Sequence, residues 1–423
     1  MPTSLKAIAK KARESRKHRF LNVYHLLNRR NLRTCFHELK KKAAPGVDQI
    51  DWYHYEANLE ENLGRLVESL KTGGYHARPA RRKYIPKGNG KQRPLGIPCI
   101  EDKIVQLAVS KILGAIYEED FLDCSYGYRP GRSPQGASQN LAGLLQFGPY
   151  GWVVEADIRG FFDAVDHDWL MRMLERRVAD RDLLRLIWKW LRAGVLEADG
   201  QVVHPETGTP QGGIISPLLA NIYLHHVLDL WFEHIVQRRC HGRARLIRYV
   251  DDFVCIFQYH EEARAFRKEL AARLGKFKLA LANEKTRMLR FSRFAVGGES
   301  FDFLGFAFRW GRNRKGGPQV WRETARDRFR RALRRLKEWI RKNRHKRVRE
   351  LMATLKRKYQ GHRNYYGVIG NALRVNSFEY FGNGIIFKWL NRRSQRKSYT
   401  WEQFKAMLQR HGIGGGGDEK MAA

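Results

Sequence analysis

Leu246-Ile247-Arg248-Tyr249-Val250-Asp251-Asp252-Phe253-Val254-Cys255-Ile256-Phe257 sets an acidic pair between two β-type apolar runs. The pattern predicts a hairpin with adjacent carboxylates in its turn. Two such charges beside apolar strands are costly unless a cation neutralises them, although Asp-Asp pairs also favour plain surface turns. Four residues alone do not separate these readings, because matches that short arise by chance.

A second acidic position raises the odds for the cation. Trp152-Val153-Val154-Glu155-Ala156-Asp157 reads as a strand ending in a carboxylate, and Ile158-Arg159-Gly160-Phe161-Phe162-Asp163 follows it. Asp157 at a strand end and Asp251 with Asp252 in a neighbouring hairpin can converge on one point. That makes a hard-oxygen site suited to Mg²⁺. Two such ions activate a primer 3′-hydroxyl and stabilise the leaving pyrophosphate. Phosphoryl transfer asks little more of a protein than positioning and positive charge. Asp163 and Asp166 read as structural.

The charge balance points the same way. Lys and Arg number 80 against 43 acidic residues, a formal net charge of +37. Such an excess attracts polyanions and releases counterions as phosphates are neutralised. No apolar run approaches the roughly 18 residues of a spanning helix, and the charge is spread along the whole chain, so nucleic acid is favoured over a membrane surface. Five scattered cysteines suggest a reducing cytosol and give no zinc site; Cys240, His241 and Cys255 lack a fourth ligand at finger-like spacing. The basic N-terminus resembles a transit peptide in composition, but an RNA-contacting arm is the simpler reading.

At 423 residues, two or three packed units are expected. Residues 1–75 read as helical, including Phe20–Leu27, with a break at Pro45-Gly46-Val47-Asp48. A hairpin is expected around 78–100, turning at Lys87-Gly88-Asn89-Gly90, then a helix over 101–117. Helical stretches lie near 167–193, 216–236 and 261–275. From Arg322 to Glu350, 14 of 29 residues are basic at helical spacing, and a domain boundary is placed near 312–320. The Gly-rich tail 414–423 reads as disordered.

Taken in order, these segments resemble a group II intron-encoded reverse transcriptase and maturase over roughly 40–410. Ala44-Pro45-Gly46-Val47-Asp48, Arg93-Pro94-Leu95-Gly96-Ile97-Pro98 and Tyr126-Gly127-Tyr128-Arg129-Pro130-Gly131-Arg132-Ser133 resemble its early blocks. Asp157–Asp163 and Arg248–Phe253 resemble its catalytic blocks. Gly208-Thr209-Pro210-Gln211-Gly212-Gly213-Ile214-Ile215-Ser216-Pro217-Leu218-Leu219-Ala220-Asn221-Ile222-Tyr223-Leu224 is the most specific match. Asn283-Glu284-Lys285-Thr286 and Phe303-Leu304-Gly305-Phe306 close the polymerase part, the latter as a core or primer-grip strand with the core reading favoured. Gly361–Tyr366 and Trp389–Gln395 resemble the maturase region.

The resemblance implies an α+β right-hand polymerase fold with a C-terminal α-helical thumb and maturase domain. The implied division is an N-terminal extension and start of fingers at 1–75, fingers at 76–150, palm at 151–311 and thumb at 312–413. Asp157, Asp251 and Asp252 would hold two Mg²⁺ ions, with Mn²⁺ as a substitute and the Ile158 carbonyl assisting. Lys87 and Arg93 would grip the incoming deoxynucleoside triphosphate, Arg bidentately and Lys as a point charge. Phe162 would wall off a ribose 2′-hydroxyl, leaving Phe161 to the core, and Gln211 would lie over the nucleotide. Gly212-Gly213 would allow close backbone approach. The expected partners are group II intron RNA as template, a DNA primer or target, and deoxynucleotides, with no membrane; the expected setting is a cytoplasmic ribonucleoprotein. Family members often add an endonuclease rich in His and paired Cys; no such cluster occurs here, so a compact, endonuclease-lacking type is expected. Two other readings stay open: a splicing cofactor with a silent polymerase site, and a reverse transcriptase domesticated for repair or defence.

Overall fold

A computed structural model describes residues 4–86, 92–209, 212–295, 297–393 and 398–413. The chain is α+β, with helices more abundant than strands. It divides into two compact units, one of residues 1–133 with 153–288, the other of residues 134–152 with 289–423.

The first unit is organised by two sheets. Strands β1 (Ala80–Pro86) and β2 (Gln92–Ile97) form the expected hairpin, in register from Arg81↔Ile97 to Pro86↔Gln92. At its base β1 pairs in parallel with β4 (Val195–Leu196), which pairs with β5 (Val202–Val203). The turn expected at Lys87–Gly90 lies outside the described residues.

The other sheet has the order β6-β7-β3-β8, from β3 (Trp152–Asp157), β6 (Ala244–Tyr249), β7 (Asp252–Phe257) and β8 (Arg287–Arg290). After Asp252 every residue of β7 is buried, as a strand covered on both faces requires. The helix His260–Lys276 packs on it through Phe266 against Phe257, and Phe232 joins the same cluster.

Two helical expectations are corrected. Phe20–Leu27 is not α-helical: the Phe20 amide and carbonyl pair with Arg177 and Ala179, and the Asp180 carboxylate accepts the Val23 and Tyr24 amides at 2.7 and 2.8 Å. These distant partners outbid local helical bonds. Asp180 also caps Arg181–Arg192, and so splits the stretch 167–193 into two helices.

In the second unit β9 (Phe301–Phe303), β10 (Phe306–Arg312) and β11 (Pro318–Thr324) form an antiparallel sheet in the order β11-β10-β9. The Gly311–Gly317 stretch therefore ends β10 and, over 313–317, connects a hairpin, while the two units divide between Met288 and Leu289. Phe303 and Phe306 are buried, as a core strand demands. The basic stretch folds as Arg326–Asn343 and Val348–Tyr366, which share a core with Ala372–Leu390 and Trp401–Arg410 around Leu336, Leu355, Phe378 and Phe404. The tail 414–423 lies outside the described residues.

Candidate active site

The β6–β7 hairpin closes tightly, with Tyr249 opposite Asp252, so Val250 and Asp251 form the turn. Val250 takes φ +59°, a left-handed conformation that costs a β-branched residue on the order of 1–3 kcal/mol. Such strain persists only where the surroundings over-determine it. Here the Val250 side chain is buried against Gly127, where a Cβ would come within 2.5 Å of Val250 Cγ2. Glycine at 127 is thus required by close approach.

The second restraint is Arg248, whose side chain is wholly buried. All five of its N–H groups have acceptors. Nε and Nη2 donate to the two Asp229 oxygens at 2.7 and 2.6 Å, and Nη2 also reaches Ser125 Oγ at 2.8 Å. Nη1 donates to Asn221 Oδ1 at 3.0 Å and to the Val250 carbonyl at 3.2 Å. Asn221 in turn donates to the Gly127 carbonyl at 2.6 Å. One guanidinium therefore ties the acidic turn to the helix Ser216–Leu224 and to the segment before Gly127. Burial alone would lower the Arg248 pKa, but Asp229 more than offsets it, and the guanidinium stays charged.

Asp157 ends β3, the strand beside β7. Its carbonyl accepts the Ala282 amide, and Arg159 donates to Ala280, both at 2.8 Å, around an antiparallel Ile158↔Leu281 bridge. Ile158 is buried, and the ladder leaves its own N–H and C=O to the opposite side of the strand. This pairing brings in Lys285, whose ammonium bonds the Asp157 carboxylate. That bond raises the Lys285 pKa, with Asp157 and Asp251 charges adding to it.

Asp251 is pushed above the usual carboxylate range, chiefly by burial and then by the Asp157 charge, against the opposing pull of Arg93 and Lys285. Asp157 and Asp251 thus sit at the ends of the neighbouring strands β3 and β7, and Arg93 on β2 acts on Asp251 through its charge. Asp252 is exposed at the start of β7. Among the described residues no three His, Cys, Asp or Glu side chains converge in a metal-holding group. The donor set still fits a hard cation: all oxygen, electrically crowded, and already paired with an ammonium.

Phe161 and Phe162 fall on the short helix Phe161–Ala164, Phe161 buried and Phe162 partly exposed. Asp166 caps the next helix through the Trp169 amide and bonds Lys278 at 2.5 Å, a structural role. Lys87 and Gln211 lie outside the described residues. Gly212 sits at φ +116°, where a Cβ would meet the Gly96 carbonyl oxygen at 2.5 Å, so the close approach of Gly96 requires glycine there.

Lys285 and the Arg248–Asp229 pair were not among the expected site residues. The pair left one trace: charges inside apolar stretches are seldom buried without a partner.

Residues 85–308, more than half of the chain, match the family described as reverse transcriptase (RNA-dependent DNA polymerase). The chain is 36% identical over 311 residues to protein YkfC of Escherichia coli, covering 65% of this chain and 78% of that one. It is 47% identical over 169 residues to the group II intron-encoded protein LtrA of Lactococcus lactis, 40% of this chain but 28% of that protein's length. An uncharacterised 91 kDa protein in the cob intron of Schizosaccharomyces pombe is 36% identical over 223 residues, 51% of this chain and 26% of that one. A strained acidic hairpin beside a strand-end aspartate, inside a match of this extent, makes the chain a member of the reverse transcriptase family of RNA-directed DNA polymerases, with their α+β right-hand fold.

Proposed function

We propose that the chain copies group II intron RNA into DNA during retrotransposition and assists splicing by binding that RNA. Family membership brings an RNA template, a nucleic-acid primer, deoxynucleotides and a divalent metal in general terms. The intron assignment is supported by the likeness to LtrA, a group II intron-encoded protein, and by the ordered blocks of sequence that resemble such proteins.

The observation that carries the reading is Asp157 at the end of β3 and Asp251 in the turn that opens the neighbouring strand β7, with Lys285 bonded to Asp157. In this reading Asp157, Asp251 and Asp252, with the Ile158 carbonyl, hold two Mg²⁺ ions, which Mn²⁺ can replace. When bound, the ions supply Lewis acidity toward the primer hydroxyl and the leaving pyrophosphate. Arg93 and Lys87 bind the triphosphate, Phe162 excludes the ribose 2′-hydroxyl, and Gln211 covers the nucleotide. Residues 76–150 serve as fingers, 151–311 as palm and 312–413 as thumb and RNA-binding maturase region, working in a cytoplasmic ribonucleoprotein.

Primer extension on an RNA template tests this, with Asp251→Ala as control. Wild type extends, while the variant loses activity by roughly a thousandfold or more and remains folded. Equal inertness of the two, with both promoting intron splicing, would leave a splicing cofactor instead.

A further inference from the structure

A cavity of about 400 Å³ opens in the first unit among the helices His167–Glu175, His260–Lys276 and the stretch from His225 to Val236. That volume lies within the ~300–1,000 Å³ of small-ligand sites. None of the described residues of the active site lines it. Its wall is aromatic, from Trp169, Trp231 and Phe277, and its cations are Arg172, Arg176, Arg273 and Lys276.

Three features set it apart from an ordinary solvated groove. First, no carboxylate is among the described lining residues, and Arg172, Arg176 and Lys276 are exposed. Second, the aromatic wall is pre-organised. Trp169 and Phe277 have ring centroids 4.8 Å apart, and the Arg273 guanidinium lies over Phe277 at 4.7 Å and over Trp231 at 5.7 Å. Arg273 is itself fixed, donating to the Val227 and His226 carbonyls at 2.8 and 3.0 Å. Third, those carbonyls belong to a π-helical turn, His225–Asp229, and a second such turn, Phe232–Val236, follows. Turns of this kind are rare and recur at functional sites. Here they present His226 and Ile235 to the same cavity.

We propose that this cavity binds one unpaired nucleotide of an RNA strand, its base against the aromatic wall and its flanking phosphates on Arg172, Arg176 and Lys276. Flat apolar walls with cations and no anions match the two halves of a nucleotide, and unpaired RNA bases are free to leave the stack. The inference requires that the chain bind RNA, but not that it polymerise.

The test uses the full chain and a short single-stranded RNA substituted with thiouridine, irradiated and mapped by mass spectrometry. Wild type gives adducts at Trp169, Trp231 or Phe277. The exposed double reversal Arg172→Glu/Arg176→Glu loses those adducts and keeps adducts formed elsewhere. Its salt slope of log K for the RNA flattens by about 1.4, roughly 0.7 for each arginine on a single strand. Its primer extension on a short annealed template is unchanged, which separates failure of this site from failure of the polymerase. Absence of adducts from the cavity in wild type overturns the proposal, as does undiminished adduct formation in the double variant. Competition by poly-glutamate or by single-stranded DNA as effective as that by RNA overturns it too, in favour of an acidic protein or a DNA strand.

Discussion

Replacing Arg248 tests whether the acidic turn is held by its buried guanidinium. Arg248→Ala leaves the wholly buried Asp229 without its partner and unmakes five hydrogen bonds, among them those to Asn221 and the Val250 carbonyl. Breaking a buried pair from one side costs about 3–5 kcal/mol, a large share of a typical folding free energy of about 5–15 kcal/mol. A second variant, Arg248→Met/Asp229→Leu, removes both charges and refills the space, which by the same reasoning restores most of that stability. It does not restore the donor to the Val250 carbonyl. A bond from a charged donor contributes roughly 1.5–3 kcal/mol, about the size of the strain at Val250, so its loss frees the turn to relax. Guanidinium unfolding is therefore expected to show a large loss for the single variant and near recovery for the double. Single-nucleotide primer extension stays roughly ten- to a hundredfold down in both. Full recovery of extension in the double variant, or a single variant as stable as wild type, would refute the reasoning.

Three further outcomes are expected. Phe162→Ala should relax discrimination against ribonucleotides by roughly tenfold or more in primer extension with competing substrates; unchanged sugar selectivity removes Phe162 from that role. Lys285→Met frees Asp157 from its ammonium, and calorimetric Mg²⁺ titration of the nucleotide-free chain should show roughly tenfold tighter binding, with equal affinity refuting the competition. Burial, aided by the Arg248 charge, holds His225 down at about 3, and burial with the His225 charge does the same for His226, against 6.5 when unfolded. Between those values the unfolded chain binds more protons, so stability present above 6.5 is lost as pH falls. Going from about pH 7 to about pH 5 should cost roughly 2 kcal/mol for each ring, and a flat urea midpoint across that window contradicts it.

The elements that could be read along the chain are those whose signal is local. Alternation and turn chemistry mark β1–β2 and β6–β7, and 3.6-residue periodicity marks Ile100–Tyr117 and His260–Lys276. The acidic residues were legible for a related reason: adjacent carboxylates between apolar runs are conspicuous in composition alone. Phe20–Leu27 failed because its hydrogen-bond partners, Arg177 to Asp180, lie some 150 residues away, and an apolar run carries no trace of where its backbone will pair.

What the sequence determined by itself, then, is the chemistry on offer: three aspartates at strand ends and turns, a cationic surface, and ordered blocks matching a polymerase family. The tertiary structure decided which charges meet. Asp157 pairs with Lys285, Arg248 with Asp229, and Val250 is held left-handed against Gly127. The physical reason is that backbone propensity acts over a few residues. Coulombic pairing, strongest for the buried Arg248–Asp229 pair, and the exclusion of volume at a close contact act only through space, once the chain has brought distant segments together.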